Sequence, residues 1–178
     1  MIGILFATER EALPFLGLVG GEKREDTPFL AYAFRIPGRR SWLDGIVVIT
    51  GIGPDAAGSA TTHLLANYRV RLVVNAGICG ALSNPPEVGE IVRIGEARLC
   101  TDIDAPEEHM VQALAAAPAS LWPELSACRL VTSPVPVFDP ELRTRFAALG
   151  DCVDQEGAVV AATCREQDVP CHLLKGVS

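Results

Sequence analysis

Short apolar runs rich in β-branched residues alternate along this chain with longer amphipathic stretches. The apolar runs predict strands at 2–7, 29–36, 45–50, 72–76, 90–99, 128–132, 152–154 and 171–177. The amphipathic stretches predict helices at 9–16, 54–67, 141–149 and 157–167, and the segment 101–125 predicts a loop with one weak helix. This alternation is typical of a parallel sheet flanked by helices. We therefore expect a single three-layer α/β/α domain over residues 1–178, with a mixed, mostly parallel central sheet.

The predicted last strand ends one residue before Ser178, the final residue of the sequence. A domain of this class usually covers such a strand with a further helix. We therefore expect either that the sequence is truncated at its C-terminus or that a partner subunit covers this side. The second alternative predicts a homo-oligomer, with a dimer favoured.

Composition excludes several classes of function. Apolar residues make up 49% of the chain and the formal net charge is −7, which predicts a well-packed globular protein rather than a disordered one. The largest basic cluster is the pair Arg39-Arg40, so no nucleic-acid partner is expected. No apolar run approaches the roughly 20 residues of a membrane span, and the apolar start is too short for a signal peptide. The expected location is the cytoplasm, without a membrane partner.

The cysteines and histidines do not form a metal-binding pattern. The six cysteines are scattered without a C-x-x-C pair, and the three histidines are isolated. We predict buried free thiols in a reducing compartment, and no metal and no cofactor. Cys79 in Gly-Ile-Cys-Gly is interpreted as a buried thiol rather than a nucleophile, because no basic residue lies near it in sequence.

Four polar or glycine-containing segments follow predicted strands, and they are 7–11, 50–54, 75–80 and 154–157. Ligands of parallel sheets bind at the carboxyl ends of the strands, so these segments predict a binding site. The glycines match neither G-x-G-x-x-G nor the P-loop, which disfavours dinucleotide and Walker-type sites. For any one segment, a tight strand-to-helix turn explains the glycines equally well.

Two carboxylates give the sharper chemical hypothesis. At the end of a strand, Glu156 could accept hydrogen bonds from both hydroxyls of a ribose and stabilise an oxocarbenium-like sugar. Glu11 could activate a water molecule as a general base. The alternatives are a solvated surface residue for Glu156 and, for Glu11, a first-turn residue favoured by the helix dipole. Arg10 is interpreted as a surface residue.

Five stretches, taken in order, resemble the nucleoside phosphorylase superfamily, particularly its 5′-methylthioadenosine/S-adenosylhomocysteine nucleosidase branch with futalosine hydrolases as a sister branch. The stretches are IGILFATEREALPFL, TGIGPDAAGSATTHLL, NAGICGAL, VGEIVRIGEAR and VDQEGAVVAATCREQDVPCHLLKGVS. The resemblance spans nearly the whole chain and leaves 101–125 unmatched. It implies the nucleoside phosphorylase-like form of the α/β fold and a purine nucleoside as the small-molecule partner.

The resemblance also implies roles for single residues. Glu11 takes the place of the water-activating carboxylate, and Glu156 that of the ribose-binding glutamate. Gln155 replaces a methionine that packs under the ribose, and Val137 falls near the position whose backbone contacts the purine edge. The resemblance places the remaining substrate-binding residues around the sugar (Thr50, Ile52, Gly53), near the base (Ala76, Gly77) and within the matched C-terminal stretch (Asp154, Ser178).

Hydrolysis is expected over phosphorolysis. Hexameric phosphorylases carry a Gly-Asp-Pro-x-Arg loop after the first strand, whereas this chain has Ala-Thr-Glu-Arg-Glu, whose carboxylates suit water and repel phosphate. In the family, an aspartate after the serine at position 178 protonates the leaving purine; the sequence ends at Ser178, so we expect weaker activation of the leaving group. The predicted function is an N-ribosyl hydrolase acting on a purine nucleoside or a 5′-substituted one. The alternatives are a phosphate-dependent phosphorylase and a nucleoside-binding protein without catalysis.

Overall fold

The computed structural model describes residues 1–39, 41–114 and 121–178. In chain order the elements are β1 (Ile2–Phe6), α1 (Glu9–Val19), β2 (Glu22–Arg24), β3 (Ala31–Pro37), β4 (Trp42–Ile49), α2 (Pro54–Asn67), β5 (Leu72–Ala81), β6 (Ile91–Cys100), β7 (Met110–Leu114), β8 (Ala127–Thr132), α3 (Pro140–Ala147), β9 (Cys152–Asp154), α4 (Gly157–Glu166) and β10 (Cys171–Val177).

The centre of the sheet consists of parallel strands in the order β4, β1, β5 and β10. The register pairs Phe6 with Ile49, and it pairs Asn75 with both Leu5 and Leu173. Beyond β4, the strands β3 and β2 extend the sheet by antiparallel pairing. Because the central strands run in one direction, their carboxyl ends lie at one edge of the sheet.

The other part of the sheet closes on itself. Strand β5 pairs with β9, β9 with β8, β8 with β6, and β6 with β10, which returns to β5. Strand β7 pairs with the second half of β6. As a result, the short strand β9 lies against the end of β5, with Val153 opposite Gly80. The residues after β9 therefore reach the same edge as the ends of β1 and β5.

The helices cover both faces of the sheet because successive strand residues point to opposite sides. Leu5 belongs to a large cluster with residues of α2 and α4, including Leu64 and Val160. The next residue, Phe6, belongs to a second cluster with Leu16 of α1. Helix α3 packs its Phe146 against Val131 and Val153 of β8 and β9. This arrangement confirms the predicted α/β class with a mixed sheet between helical layers.

Local sequence signals explain where the helices begin. Thr8 accepts a hydrogen bond from the Glu11 amide, and the Glu11 side chain accepts one from the Thr8 amide, which forms a capping box at α1. Helices α2 and α3 each begin with proline. A backbone N–H at the first helical position has no acceptor within the helix, so the lack of this group in proline loses no hydrogen bond there. Helix α1 continues through Pro14, beyond its first turn, so the helical hydrogen bond to the Arg10 carbonyl is lost there.

Two strands were not expected from the sequence. Met110–Leu114 forms β7, although the segment 101–125 was predicted as a loop with one weak helix. The prediction for this segment was wrong because a tertiary contact forms the strand: pairing with β6 supplies its hydrogen bonds. Similarly, the exposed strand β2 exists through its pairing with β3. The alanine-rich piece at 115–120 lies outside the described residues, as does Arg40 of the predicted basic pair.

All six cysteines are free and buried. Within the described residues, no group of histidine, cysteine, aspartate and glutamate side chains is arranged to hold a metal ion. No helix in the described ranges has both the length and the apolar character that crossing a membrane would require.

Gly45 allows the tightest approach in this sheet, and replacing it tests the packing. A Cβ at this position would lie 2.0 Å from Cζ of Phe34, the cross-strand partner in β3. Because Phe34 is buried and its ring packs edge-on against Phe15, it has little room to move. We expect Gly45→Ala to lower the free energy of unfolding by about 1–3 kcal/mol in urea denaturation.

The matched control is Gly17→Ala in helix α1, where an added Cβ would meet no atom within 4 Å. This variant is expected to raise the free energy of unfolding by up to about 1 kcal/mol, because alanine favours the helix. Equal effects of the two substitutions would contradict this account of the packing.

Candidate functional site

A cavity of about 870 Å³ opens at the carboxyl edge of the central strands. Segments that follow β1, β4, β8, β9 and β10 enclose it together with the second half of β5. The lining residues are Ala7, Thr8, Arg10, Glu11, Ile52, Ile78, Cys79, Gly80, Val135, Pro136, Val137, Phe138, Arg143, Val153, Asp154, Gln155, Glu156 and Ser178. Both candidate carboxylates, Glu11 and Glu156, therefore face one space.

Glu11 is held rigidly by three donors from two segments. Its Oε2 accepts hydrogen bonds from the backbone amide and the hydroxyl of Thr8, each at 2.9 Å. Its Oε1 accepts a hydrogen bond of 3.1 Å from the amide of Ile78, at the end of the neighbouring strand β5. The carboxylate therefore bridges the first turn of α1 and β5 and stays in one orientation beside the cavity.

Gly77 allows this approach. A Cβ at position 77 would lie 3.1 Å from Oε1 of Glu11, which is tighter than an ordinary contact. The absent side chain thus lets the carboxylate reach the Ile78 amide. The family resemblance implies a place beside the base for Gly77, and in the structure Gly77 lies beside Glu11.

Glu156 lies immediately before helix α4 and is 7% exposed. Its Oε1 accepts a hydrogen bond of 2.9 Å from the amide of Gly53, in the turn before α2. Burial raises the pKa of the Glu156 carboxyl, and the charges of Asp154 and Glu11 add to the rise. The Gly53 amide and Lys175 oppose it. Among the described residues, Oε2 of Glu156 has no hydrogen-bond donor, which leaves it available to a ligand.

Asp154 is fully engaged inside the protein, although it borders the cavity. Its Oδ1 accepts a hydrogen bond of 2.6 Å from the hydroxyl of Thr132, and its Oδ2 accepts one of 2.9 Å from the amide of Gly157. Oδ2 also lies 2.8 Å from Nζ of Lys175, whose side chain is 2% exposed. The carboxylate thus organises the cavity wall and has no oxygen left for a substrate.

The charge of Lys175 persists despite its burial. Burial alone would lower the pKa of this amine, but the facing Asp154 carboxylate and, at longer range, Glu156 outweigh burial and raise it. Lys175 therefore forms an ion pair with Asp154 inside the protein, and its charge also acts on Glu156.

The predicted substrate-binding residues fall into two groups. Ile52, Val137, Gln155 and Ser178 line the cavity, and Gly53 contributes its amide to Glu156. Thr50 and Ala76 are not among the lining residues. The Thr50 hydroxyl donates to the carbonyl of Gly51 at 2.7 Å, which stabilises the turn, and Ala76 packs against the apolar cluster of α1.

Sequence reasoning missed several residues at the site, among them Lys175, Arg143 and Phe138. Lys175 carried a signal, because it lies two residues after the buried Leu173 and thus on the same face of β10, and a charge on the inward face of a strand needs a partner. Arg143 and Phe138 line the cavity without any such signal. Their position follows from the way the segment after β8 leads into α3, which periodicity does not reveal.

Comparisons with known proteins agree with this architecture. A model described as the phosphorylase superfamily matches residues 1–178. A 5′-methylthioadenosine/S-adenosylhomocysteine nucleosidase of Shewanella denitrificans is 27% identical over 201 residues, covering 99% of this chain and 85% of that protein.

Two solved structures have the same fold. A futalosine hydrolase mutant of Helicobacter pylori matches with a TM-score of 0.83 at 22% identity. A 5′-methylthioadenosine/S-adenosylhomocysteine nucleosidase of Campylobacter jejuni matches with a TM-score of 0.83 at 19% identity. Each match covers 99% of this chain and 84% of the other.

The buried ion pair gives a prediction about stability. In Lys175→Met, the carboxylate of Asp154 would remain buried without its cation, so we expect the free energy of unfolding to fall by about 3–5 kcal/mol. The control is Arg35→Met, which breaks the exposed pair of Arg35 with Asp44 and is expected to change stability little. Urea denaturation measures both, and equal small losses would contradict a structural role of the buried pair.

Proposed function

The chain belongs to the phosphorylase superfamily, and on that premise we propose that it hydrolyses the N-glycosidic bond of a purine nucleoside or a 5′-substituted purine nucleoside. One observation carries the proposal: Glu11 and Glu156 face one cavity at the carboxyl ends of the strands, each held by an amide of another segment. The nucleosidase relatives support hydrolysis over phosphorolysis.

In this proposal the sugar lies between the two carboxylates. The free Oε2 of Glu156 accepts hydrogen bonds from ribose hydroxyls, and its charge stabilises the oxocarbenium-like sugar as the bond breaks. Glu11, oriented by Thr8 and Ile78, takes a proton from the attacking water. The bond between C1′ and the purine nitrogen breaks, and its electron pair leaves with the base. The water oxygen bonds to C1′. The base takes a proton from solvent water, and Glu11 returns to solvent the proton that it accepted, so that the proton balance closes.

The carboxylate at Glu11 also argues for water as the nucleophile. A phosphate dianion at the same place would face Glu11 and Glu156 together, and like charges at short range are costly when they are partly desolvated. Arg10 lines the cavity too, but it is the neighbour of Glu11 on α1. This helix turn carries Glu9, Arg10 and Glu11, so its net charge is negative and it has no excess positive charge to hold phosphate.

The direct test measures the release of free base by chromatography. The substrates are adenosine, inosine, 5′-methylthioadenosine, S-adenosylhomocysteine and futalosine. We expect release from at least one of these nucleosides without inorganic phosphate. Release that requires phosphate would replace the hydrolase with a phosphorylase. Binding without release would indicate a nucleoside-binding protein.

The assigned role of Glu11 predicts a split between chemistry and binding. In Glu11→Gln, the amide cannot take a proton, so kcat is expected to fall by at least roughly 100-fold. The dissociation constant for the nucleoside, measured by calorimetry, should change by less than about threefold, because the ribose is bound by Glu156. The control is Glu9→Gln, one residue before Arg10 on the same turn, where the carboxylate instead accepts a hydrogen bond from Tyr32. Similar losses in both variants would argue against a specific role for Glu11.

The position of Glu156 predicts how activity depends on pH. The ionised carboxylate is the form that accepts the ribose hydroxyls, so activity is present above the pKa of Glu156 and is lost as the pH falls through it. Because burial raises this pKa, the acid limb of kcat/KM should lie above the ordinary glutamate value. Rates measured between about pH 4 and pH 8 test this, and a limb at or below the ordinary value would contradict the assignment.

A further inference from the structure

Arg143 is a cation of the cavity wall that the proposed mechanism does not use. It lies in helix α3 and lines the cavity. Its Nη2 donates a hydrogen bond of 2.6 Å to the carbonyl of Ala81, at the end of β5. In the described part of the chain, no carboxylate pairs with it, whereas Arg145 on the same helix pairs with Glu107 at 2.6 Å. The Nε and Nη1 donors of Arg143, and the second N–H of Nη2, are therefore available beside the cavity.

Part of the apolar wall of the cavity comes from elements that adjoin helix α3, which carries Arg143. Val135, Val137 and Phe138 come from the segment that leads into α3, and Val153 comes from β9. Phe138 is 85% exposed, a large apolar area beside an open cavity. A flat aromatic ring that covered these side chains would bury that area.

The backbone on this side also lacks partners. Val137 is buried, yet among the described residues neither its N–H nor its C=O takes part in a hydrogen bond. Buried peptide groups are nearly always paired, so this one is suited to a polar edge of a ligand. With the sugar between Glu11 and Glu156, the base of a bound nucleoside lies on this side, next to Arg143. This step rests on the proposed function.

We propose that Arg143 makes the site selective for purines that carry a keto oxygen at position 6. A guanidinium only donates hydrogen bonds, and its two parallel N–H groups fit the O6 and N7 acceptors of a 6-oxopurine. A 6-aminopurine presents an N–H donor at position 6, which leaves the facing guanidinium N–H unpaired, while N7 still accepts from the other. Position 6 is therefore where the two kinds of base differ for this residue.

The same contact assists the departure of the base. When the bond from C1′ to the purine breaks, the electron pair passes into the ring, and in a 6-oxopurine part of the negative charge resides on O6. A guanidinium at O6 stabilises that charge in the transition state more than in the ground state. Arg143 is thus expected to affect kcat as well as binding for 6-oxopurine nucleosides.

The test compares inosine with adenosine, which share the same sugar and differ in the base at position 6. The proteins are the wild type, Arg143→Met, Arg143→Lys and the control Arg10→Met, which removes the cation that α1 contributes to the cavity wall. We expect the wild type to favour inosine in kcat/KM, and Arg143→Met to lose roughly 10- to 100-fold on inosine but less than about threefold on adenosine. Arg143→Lys should lie between, and Arg10→Met should keep the wild-type ratio.

Two results would overturn the inference: a wild type that favours adenosine, or an Arg143→Met variant with the wild-type ratio of the two rates. Calorimetric binding of the free bases hypoxanthine and adenine separates this inference from the proposed function. If no nucleoside is hydrolysed, the proposed function fails. This inference is still supported if the wild type binds hypoxanthine more tightly than adenine and Arg143→Met does not. Equal binding of the two bases by the wild type would overturn it.

Discussion

The ion pair between Nζ of Lys175 and Oδ2 of Asp154 is the contact on which the arrangement of the site depends. It joins β10 to the end of β9, and the Thr132 hydroxyl extends it to β8. The same hydroxyl accepts a hydrogen bond from the amide of Ala158, while Oδ2 of Asp154 accepts one from Gly157. The closed part of the sheet and the start of helix α4 are thereby held together by one buried network. Glu156 lies in the sequence between Asp154 and Gly157, two members of this network.

Such a network constrains the molecule because a buried charge without a partner is much more costly than a missing apolar contact. Each member must stay in place for the others to remain satisfied, so the backbone around Glu156 has little freedom. The network also requires glycine at position 157, since a Cβ there would lie 2.8 Å from Oδ2 of Asp154. Stability and the geometry of the site are therefore coupled at these residues.

The carboxylates of Glu11 and Glu156 share a second constraint. Glu11 is oriented by the Ile78 amide and Glu156 by the Gly53 amide, so each is fixed by a loop or strand remote in sequence. Backbone amides donate without rearrangement, which is how a site keeps its charges oriented before a ligand arrives. The two glycines matter here for their backbone, because Gly77 leaves room for the Glu11 carboxylate and Gly53 donates its amide to Glu156.

Much of the fold was predictable because strand and helix periodicity, the prolines that begin α2 and α3, and the Thr8–Glu11 capping box are all local properties. The same local order placed Glu11 and Glu156 after strands that end at one edge. Three features depended on contacts between distant segments: the pairing that makes 110–114 a strand, the burial of Lys175 against Asp154, and the position of Arg143 in the cavity wall. Periodicity reports which face of an element is buried, whereas only the folded chain determines which distant residue meets it there.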